Sequence, residues 1–330
     1  MKATIKTFLA IILFIIPSIA TTQHLTLHGE VSNSTNDNIN KHGELGTTNG
    51  LTLNGSTIAV LTAPGSGSYF SPLFHYDGSD INSYPGSGNT WTDLSGNGYH
   101  AIASTDTSFV EYSHTNNAWE FKGMRSNSDG HGLFIQGLNY VSGTSDAIAN
   151  MSISCMVKIN SAAIYPSDDA RIILSFDRSS VFRFSIGGDT NDPGDNPGKP
   201  SLMFAHGSSG NVSDISFSNS TDLRDDLWHL VTITFEAEVA NGLKLYVDGQ
   251  LVQIISNTFG KIGEQNTSES PRYGVIGSGS EKSNSSVSPP TTPTDMFYGY
   301  IGSLIYYDKT LIASEVNTLF SNFNNSNYTN

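Results

Sequence analysis

The chain has 330 residues, only 14% of them charged, and a formal net charge of −14. That length admits one large β domain or two smaller ones, and low charge with abundant Gly, Ser, Thr and Asn suits many short strands joined by loops better than a helical protein. The acidic balance repels phosphate backbones and anionic lipid, which argues against nucleic acid and membrane surfaces as partners.

The first twenty residues carry Lys2 and Lys6, the apolar run Phe8 to Ile16, then Pro17 and the small Ser18 and Ala20. This order predicts a signal peptide over 1–20 and an exported chain: secreted, held at a cell surface or carried on a virion. The run is about half of the roughly 20 residues a membrane span requires, so an anchor is the weaker alternative. Loss of the two lysines would take the net charge to −16. Residues 21–64 lack aromatics and hold one echo, LTLHG at Leu25 to Gly29 and LTLNG at Leu51 to Gly55. They read as a polar spacer, with a β attachment element for a structural partner as the alternative.

From residue 65 to 320 strands and turns alternate. The predicted strands lie in YFSPLFHYDG, YHAIAS, AWEFKG, HGLFIQG, MSISCMVKIN, RIILSFD, VFRFSIGG, SLMFAH, RYGVIGS and FYGYIGSLIYYD. Between the eighth and ninth of these lies the hairpin Trp228 to Val252. Its Val231, Ile233 and Phe235 alternate with Thr232 and Thr234, as in a strand with one dry face. Leu243, Leu245 and Val247 repeat the pattern, Glu236 to Gly242 supplies the connection, and Asp248-Gly249 predicts a second tight turn. Spacing for βαβ units is missing, so the strands predict an all-β fold of two packed antiparallel sheets. One short helix is predicted over Ala313 to Phe320, the low-complexity Glu281 to Asp295 reads as an exposed loop, and 321–330 reads as a disordered tail. Cys155, the single cysteine, shares the alternating face of Met151, Ile153, Val157 and Ile159, which predicts a buried packing residue and excludes an intramolecular disulfide framework.

These landmarks resemble the laminin-G-like, concanavalin A-like lectin/glucanase jelly rolls. The resemblance rests on YDGSDINSYPGSGNTWTDLSGNGYHA at Tyr76 to Ala101, WEFKG at Trp119 to Gly123, MSISCMVKI, ILSFD, DLWHLVTITF with LKLYVDGQLV, and the closing GYIGSLIYYDKTLIASEV. It covers about Tyr69 to Phe320 and implies a jelly-roll sandwich with one C-terminal helix, with Trp91 and Trp228 at packing positions. Three departures stand out. Met156 replaces a usual tryptophan, Ser303 replaces a frequent glutamate, and Ile312 stands where the helix usually has the Ser or Thr of a capping box, at a cost of about 1 kcal/mol.

Glycanases on such a scaffold need two carboxylates about 5 to 10 Å apart across a cleft. The family's Glu-x-Asp-x-x-Glu pattern is missing, as are an Arg-x-Glu-x-Arg lyase strand and a Gly-x-Ser-x-Gly elbow. Glu236 and Glu238 sit in a turn without a neighbouring aromatic, so no catalytic residue is assigned. The loop Gly187 to Pro200 concentrates Asp189, Asn191, Asp192, Asp195 and Asn196, hard oxygen donors of the kind Ca2+ prefers, and Asp177 could join them from a neighbouring rim position. An ordinary exposed turn uses the same residues. For a sugar's apolar face, Tyr84, Tyr140 and Tyr165 are the candidate platforms, while Asp93 and Asn97 are expected to bond within their own turn. The leading expectation is a non-catalytic module that binds glycan or glycoprotein through rim loops, with Ca2+ as a candidate cofactor. A structural or assembly protein of a coat, matrix or virus particle, and a divergent glycanase or lyase, are the alternatives.

Overall fold

In the computed structural model the described residues are 51–53, 56–58, 71–103, 110–123, 132–141, 143, 146–159, 171–177, 180–187, 197–265, 271–279, 296–324 and 328. The chain divides into two compact units, Met1–Tyr69 and Phe70–Asn330. In the first, β1 (Leu51–Leu53) pairs antiparallel with β2 (Ser56–Ile58). The predicted leader, most of the spacer and the insert at 281–295 lie outside the described residues.

The second unit begins with β3 (Phe74–Asp77), β4 (Thr90–Trp91), β5 (Ala101–Ala103), β6 (Val110–Ser113) and β7 (Ala118–Lys122). It continues through β8 (Leu133–Val141), β9 (Asn150–Lys158), β10 (Arg171–Ser175), β11 (Phe182–Ile186), β12 (Pro200–His206) and β13 (Asn211–Ser216). Last come β14 (Trp228–Glu236), β15 (Leu243–Val247), β16 (Gln250–Ile255), β17 (Pro271–Ile276), β18 (Tyr298–Tyr307) and the helix α1 (Ala313–Asn324). Sheet I runs β13-β12-β11-β10-β17-β8-β5-β4. Sheet II runs β16-β15-β14-β9-β18-β7-β6, with β3 added alongside β18. Neighbours pair antiparallel throughout, as the alternating pattern requires.

The main core lies between the sheets. Phe182, Phe184, Leu202 and Phe204 of sheet I and Ile153, Val231, Ile233, Phe235, Leu243 and Leu245 of sheet II are fully buried in one cluster. Cys155 belongs to it, and burial pushes its thiol well up, so it stays an uncharged packing residue. Trp91 is buried here too, with Tyr76 stacked on it at 5.2 Å and Phe74 on Tyr76 at 5.0 Å. In the SGNG turn beside them Asp93 bonds within the turn, to Ser95, as anticipated, whereas Asn97 bonds outside it, to the segment leading into β3. Asp93 Oδ1 accepts the His75 and Ser95 N–H groups (2.9 and 2.8 Å), Oδ2 accepts the Ser95 hydroxyl (2.7 Å), and Asn97 Nδ2 donates to the Leu73 carbonyl (3.0 Å).

Two expectations change. The outward residues of β14 are not wet, because Thr232 and Thr234 are fully buried. A second cluster on that outer face joins Met156, Trp228, Leu230, Tyr246, Ile305 and Tyr307 to Leu311, Val316 and Phe323, so α1 and its approach cover the strand. Trp228 therefore packs as anticipated, but outside the sandwich, and Met156 in the usual tryptophan place is buried in the same cluster. The predicted tail is also corrected. The helix extends to Asn324, and Tyr328 is buried against Trp228.

Local chemistry accounts for the ends of these elements. Asp248 and Gly249 have φ of 51° and 77°, the paired positive values of a type I′ turn, which glycine enters without strain. At the helix start, Glu315 Oε2 accepts the Ile312 N–H at 2.8 Å while Ile312 offers no side-chain oxygen in return, so half of the capping box is present. Ser303, in place of the frequent glutamate, is buried and donates to the Tyr76 carbonyl at 2.7 Å. In the second unit three strands escaped the sequence reading: β4, β6 and β13. The last is an edge strand whose residues are all exposed or half-buried, so it has no apolar alternation to read.

Candidate binding groove

Of the predicted sugar platforms, Tyr84 is only 6% exposed. Its ring lies 4.2 Å from that of Tyr112 and 5.0 Å from that of Trp119, and its hydroxyl donates to the Gly88 carbonyl at 2.8 Å. It is a core residue without a free face. Tyr140 keeps some exposed surface, but its hydroxyl is buried, donates to the Tyr306 hydroxyl at 2.9 Å and is pushed up by that burial. Tyr165 lies outside the described residues, as do Asp189, Asn191, Asp192, Asp195 and Asn196.

Asp177, the remaining predicted Ca2+ ligand, is 1% exposed and takes the left-handed φ of 70° at the end of β10. Its Oδ2 accepts from Arg272 Nε at 2.6 Å. A guanidinium that close competes with any cation for the same oxygen, so Asp177 is better suited to holding β17 than to a metal site. Among the described residues no group of three or more His, Cys, Asp or Glu could hold a metal ion.

The structure instead brings together a groove of about 700 Å³ on the outer face of sheet II. One side is the surface of β15 and β16. Lys244 and Tyr246 face the same way as Thr234 and Thr232 across from them, and Ile254 and Leu251 sit opposite Lys244 and Tyr246. The other side is the segment 308–313 that leads into α1, and Asn150 and Glu236 close one end. That wall is pinned to the sheet. Ser152 Oγ donates to the Lys309 carbonyl (2.7 Å) and accepts the Leu311 N–H (2.8 Å), while Thr310 donates to the Phe235 carbonyl (2.7 Å). Lys309 is further fixed by Glu315, at 2.6 Å.

The lining combines two chemistries. Leu251, Ile254 and Ile312 are 48%, 45% and 61% exposed, a cluster of aliphatic surface that water does not favour. Around them stand the carboxylates of Glu236 and Asp308, the Lys244 ammonium and the Asn150 amide, donors and acceptors suited to hydroxyl groups. Tyr246 contributes little surface, being 3% exposed, and burial pushes its hydroxyl up. Sequence reasoning weighed Glu236 as part of a turn and missed the rest. Leu251 and Ile254 are three apart, and they share a face only because the β15–β16 pairing shifts register between Leu245 and Tyr246.

A family profile described as the concanavalin A-like lectin/glucanases superfamily matches residues 136–317, more than half of the chain. The chain belongs to that superfamily. Among the described residues its two large antiparallel sheets and C-terminal helix are the jelly roll implied by the sequence resemblance, and the match takes in β9, β14, β15 and β16, on which the groove is built. Comparison with curated proteins finds no match. Similar solved structures include the receptor binding domain of botulinum neurotoxin D, with a TM-score of 0.49 and 17% identity over 77% of this chain and 53% of that one. Another is the botulinum neurotoxin serotype D ligand binding domain in complex with N-acetylneuraminic acid (TM-score 0.47, 16% identity, 76% and 51% covered). A third is the binding domain of Paraclostridial Mosquitocidal Protein 1 (TM-score 0.46, 14% identity, 77% and 53% covered). This jelly roll thus corresponds to about half of each of those chains.

Proposed function

We propose that this concanavalin A-like chain is an exported, non-catalytic binding module that recognises glycan or glycoprotein. The observation that carries the reading is the groove beside α1, where Glu236, Lys244, Asn150 and Asp308 ring exposed aliphatic carbon. Sugars present hydroxyls at their edges and C–H groups on their faces, and such a lining offers partners to both. Superfamily membership supports the carbohydrate reading, though a shared fold does not by itself assign a ligand. Export rests on the leader-like start of the chain, and no helix among the described residues is long and apolar enough to cross a membrane. A Ca2+ contribution rests on the composition of the 187–200 loop alone.

A glycan array probed with and without Ca2+ tests the reading, with Lys244→Ala and Glu236→Gln variants alongside. The expected result is one retained glycan class, weakened at least tenfold by either substitution. Retention of no glycan in either condition overturns the proposal. Release of reducing ends or unsaturated products would replace it with a divergent glycanase or lyase that works from Glu236. The exposed Leu251, Ile254 and Ile312 favour a second reading, an assembly protein whose partner is another protein. A stoichiometric protein partner lost on Leu251→Asp would establish it.

A further inference from the structure

Apart from the groove, the outer face of sheet II contains a slot that is already filled. Residue 302, in the middle of β18, is glycine. A Cβ built there would lie 2.3 Å from Tyr328 Cε1 and 2.8 Å from Cζ, and its three nearest neighbours all belong to that ring. The missing side chain makes room for a phenol. Trp228 meets the ring edge-on at 5.0 Å and Phe323 lies 6.2 Å away, which leaves Tyr328 only 2% exposed.

The far end of the slot recognises a hydroxyl. Tyr328 Oη lies 2.5 Å from the Gly302 carbonyl, 2.8 Å from Asp77 Oδ1 and 3.2 Å from the Asn117 carbonyl, and it accepts the Ser79 N–H at 3.1 Å. These partners come from β18, β3, the turn after β3 and the β6–β7 turn, and other bonds hold them in place. Gly78 N–H donates to the Gly302 carbonyl (2.7 Å), and Asp77 Oδ1 also accepts the Ser79 N–H and hydroxyl (2.9 and 2.7 Å). Burial first, and then the Asp77 charge, push the phenol pKa far up, so it remains a donor at any physiological pH.

We propose that this slot is a built binding site for a phenol group, filled in cis by the C-terminal Tyr328 and open to a tyrosine side chain from another chain once that residue is removed. The apolar walls take the ring, the Ser79 N–H donates to the phenol oxygen, and the single O–H has the Gly302 carbonyl, Asp77 Oδ1 and the Asn117 carbonyl as alternative acceptors. The proposal is independent of the glycan reading, because no residue of the slot lines the groove.

Thermal unfolding of full-length Tyr328→Ala tests it, with p-cresol, toluene or the peptide of residues 325–330 added. Loss of the ring is expected to lower Tm by on the order of 5–10 °C. Millimolar p-cresol and the peptide should restore part of that loss in a concentration-dependent way, with toluene much less effective. Wild type and the Gly302→Ala, Tyr328→Ala double variant should not respond, the first because the slot is full and the second because a methyl group blocks it. An unchanged Tm in Tyr328→Ala, or equal stabilisation by p-cresol and toluene, overturns the proposal. Tyr328→Phe, which keeps the ring, provides a check should Tyr328→Ala fail to fold. A smaller Tm loss supports hydroxyl recognition, and no loss refutes it.

Discussion

Along the middle of β9 and β14 the inner and outer faces of sheet II are both dry, but they are built differently. The inner face packs against sheet I through residues that alternate along β9 and β14: Met151, Ile153, Cys155 and Val157, then Val231, Ile233 and Phe235. The outer face mixes Leu230 and Met156 with Ser152, Ser154, Thr232 and Thr234, and becomes buried only when α1 folds back over it. One face is a pattern within strands. The other is an agreement between strands and a helix more than seventy residues away. The outer face also carries the groove and the phenol slot, because a helix covers a sheet incompletely and leaves edges.

The sharpest test of this comparison is a pair of truncations on one strand. Ile233→Ala on the inner face and Leu230→Ala on the outer face should each destabilise by about 2–5 kcal/mol in urea unfolding, as full burial of both predicts. A Leu230→Ala cost under about 1 kcal/mol would mean that α1 is not a true lid on that face. Next in size are the buried hydroxyls. Ser154 Oγ and Thr232 Oγ1 are 2.9 Å apart, so Thr232→Val should cost about 1–3 kcal/mol by stranding its partner. The Thr232→Val, Ser154→Ala double variant should recover most of that cost.

A third test restores the helix cap. Ile312 is 61% exposed and already receives Glu315, so Ile312→Ser completes the reciprocal box at no loss of core. A gain of about 1 kcal/mol is expected, read from the same denaturation curves.

The smallest effects are those of pH, and they differ in sign between two histidines. Burial alone would lower the His229 pKa, but Asp248 on Nδ1 (2.8 Å) and Asp225 on Nε2 (3.2 Å) outweigh it and raise the value above 6.5. Its stabilising contribution is complete below 6.5 and is lost as pH rises through the raised folded value. His75 is lowered by burial despite Asp77, Asp93 and Asp80, so its contribution is present above 6.5 and is lost as pH falls toward its folded value. Unfolding free energies of His229→Gln and His75→Gln across pH 5 to 8 should therefore deviate from wild type in opposite directions. Parallel deviations would refute this account of their surroundings.

What the sequence determined by itself was local and periodic. Antiparallel strands, the Asp248-Gly249 turn, the Asp93–Ser95 turn, the buried Cys155 and Trp91, and the superfamily resemblance all follow from spacings of one to a few residues, where backbone sterics and side-chain alternation act directly. Tertiary structure alone decided where water stops. Thr232 and Thr234 read as a wet face until the outer cluster and the segment leading into α1 close over the sheet, Tyr84 reads as a loop aromatic until Trp119 and Tyr112 pack around it, and Asp177 reads as a cation ligand until Arg272 arrives from β17. The groove and the tyrosine slot belong to the same class. Leu251, Ile254, Gly302 and Tyr328 acquire their roles from elements distant in the chain, and burial is a property of such meetings, which no window of sequence contains.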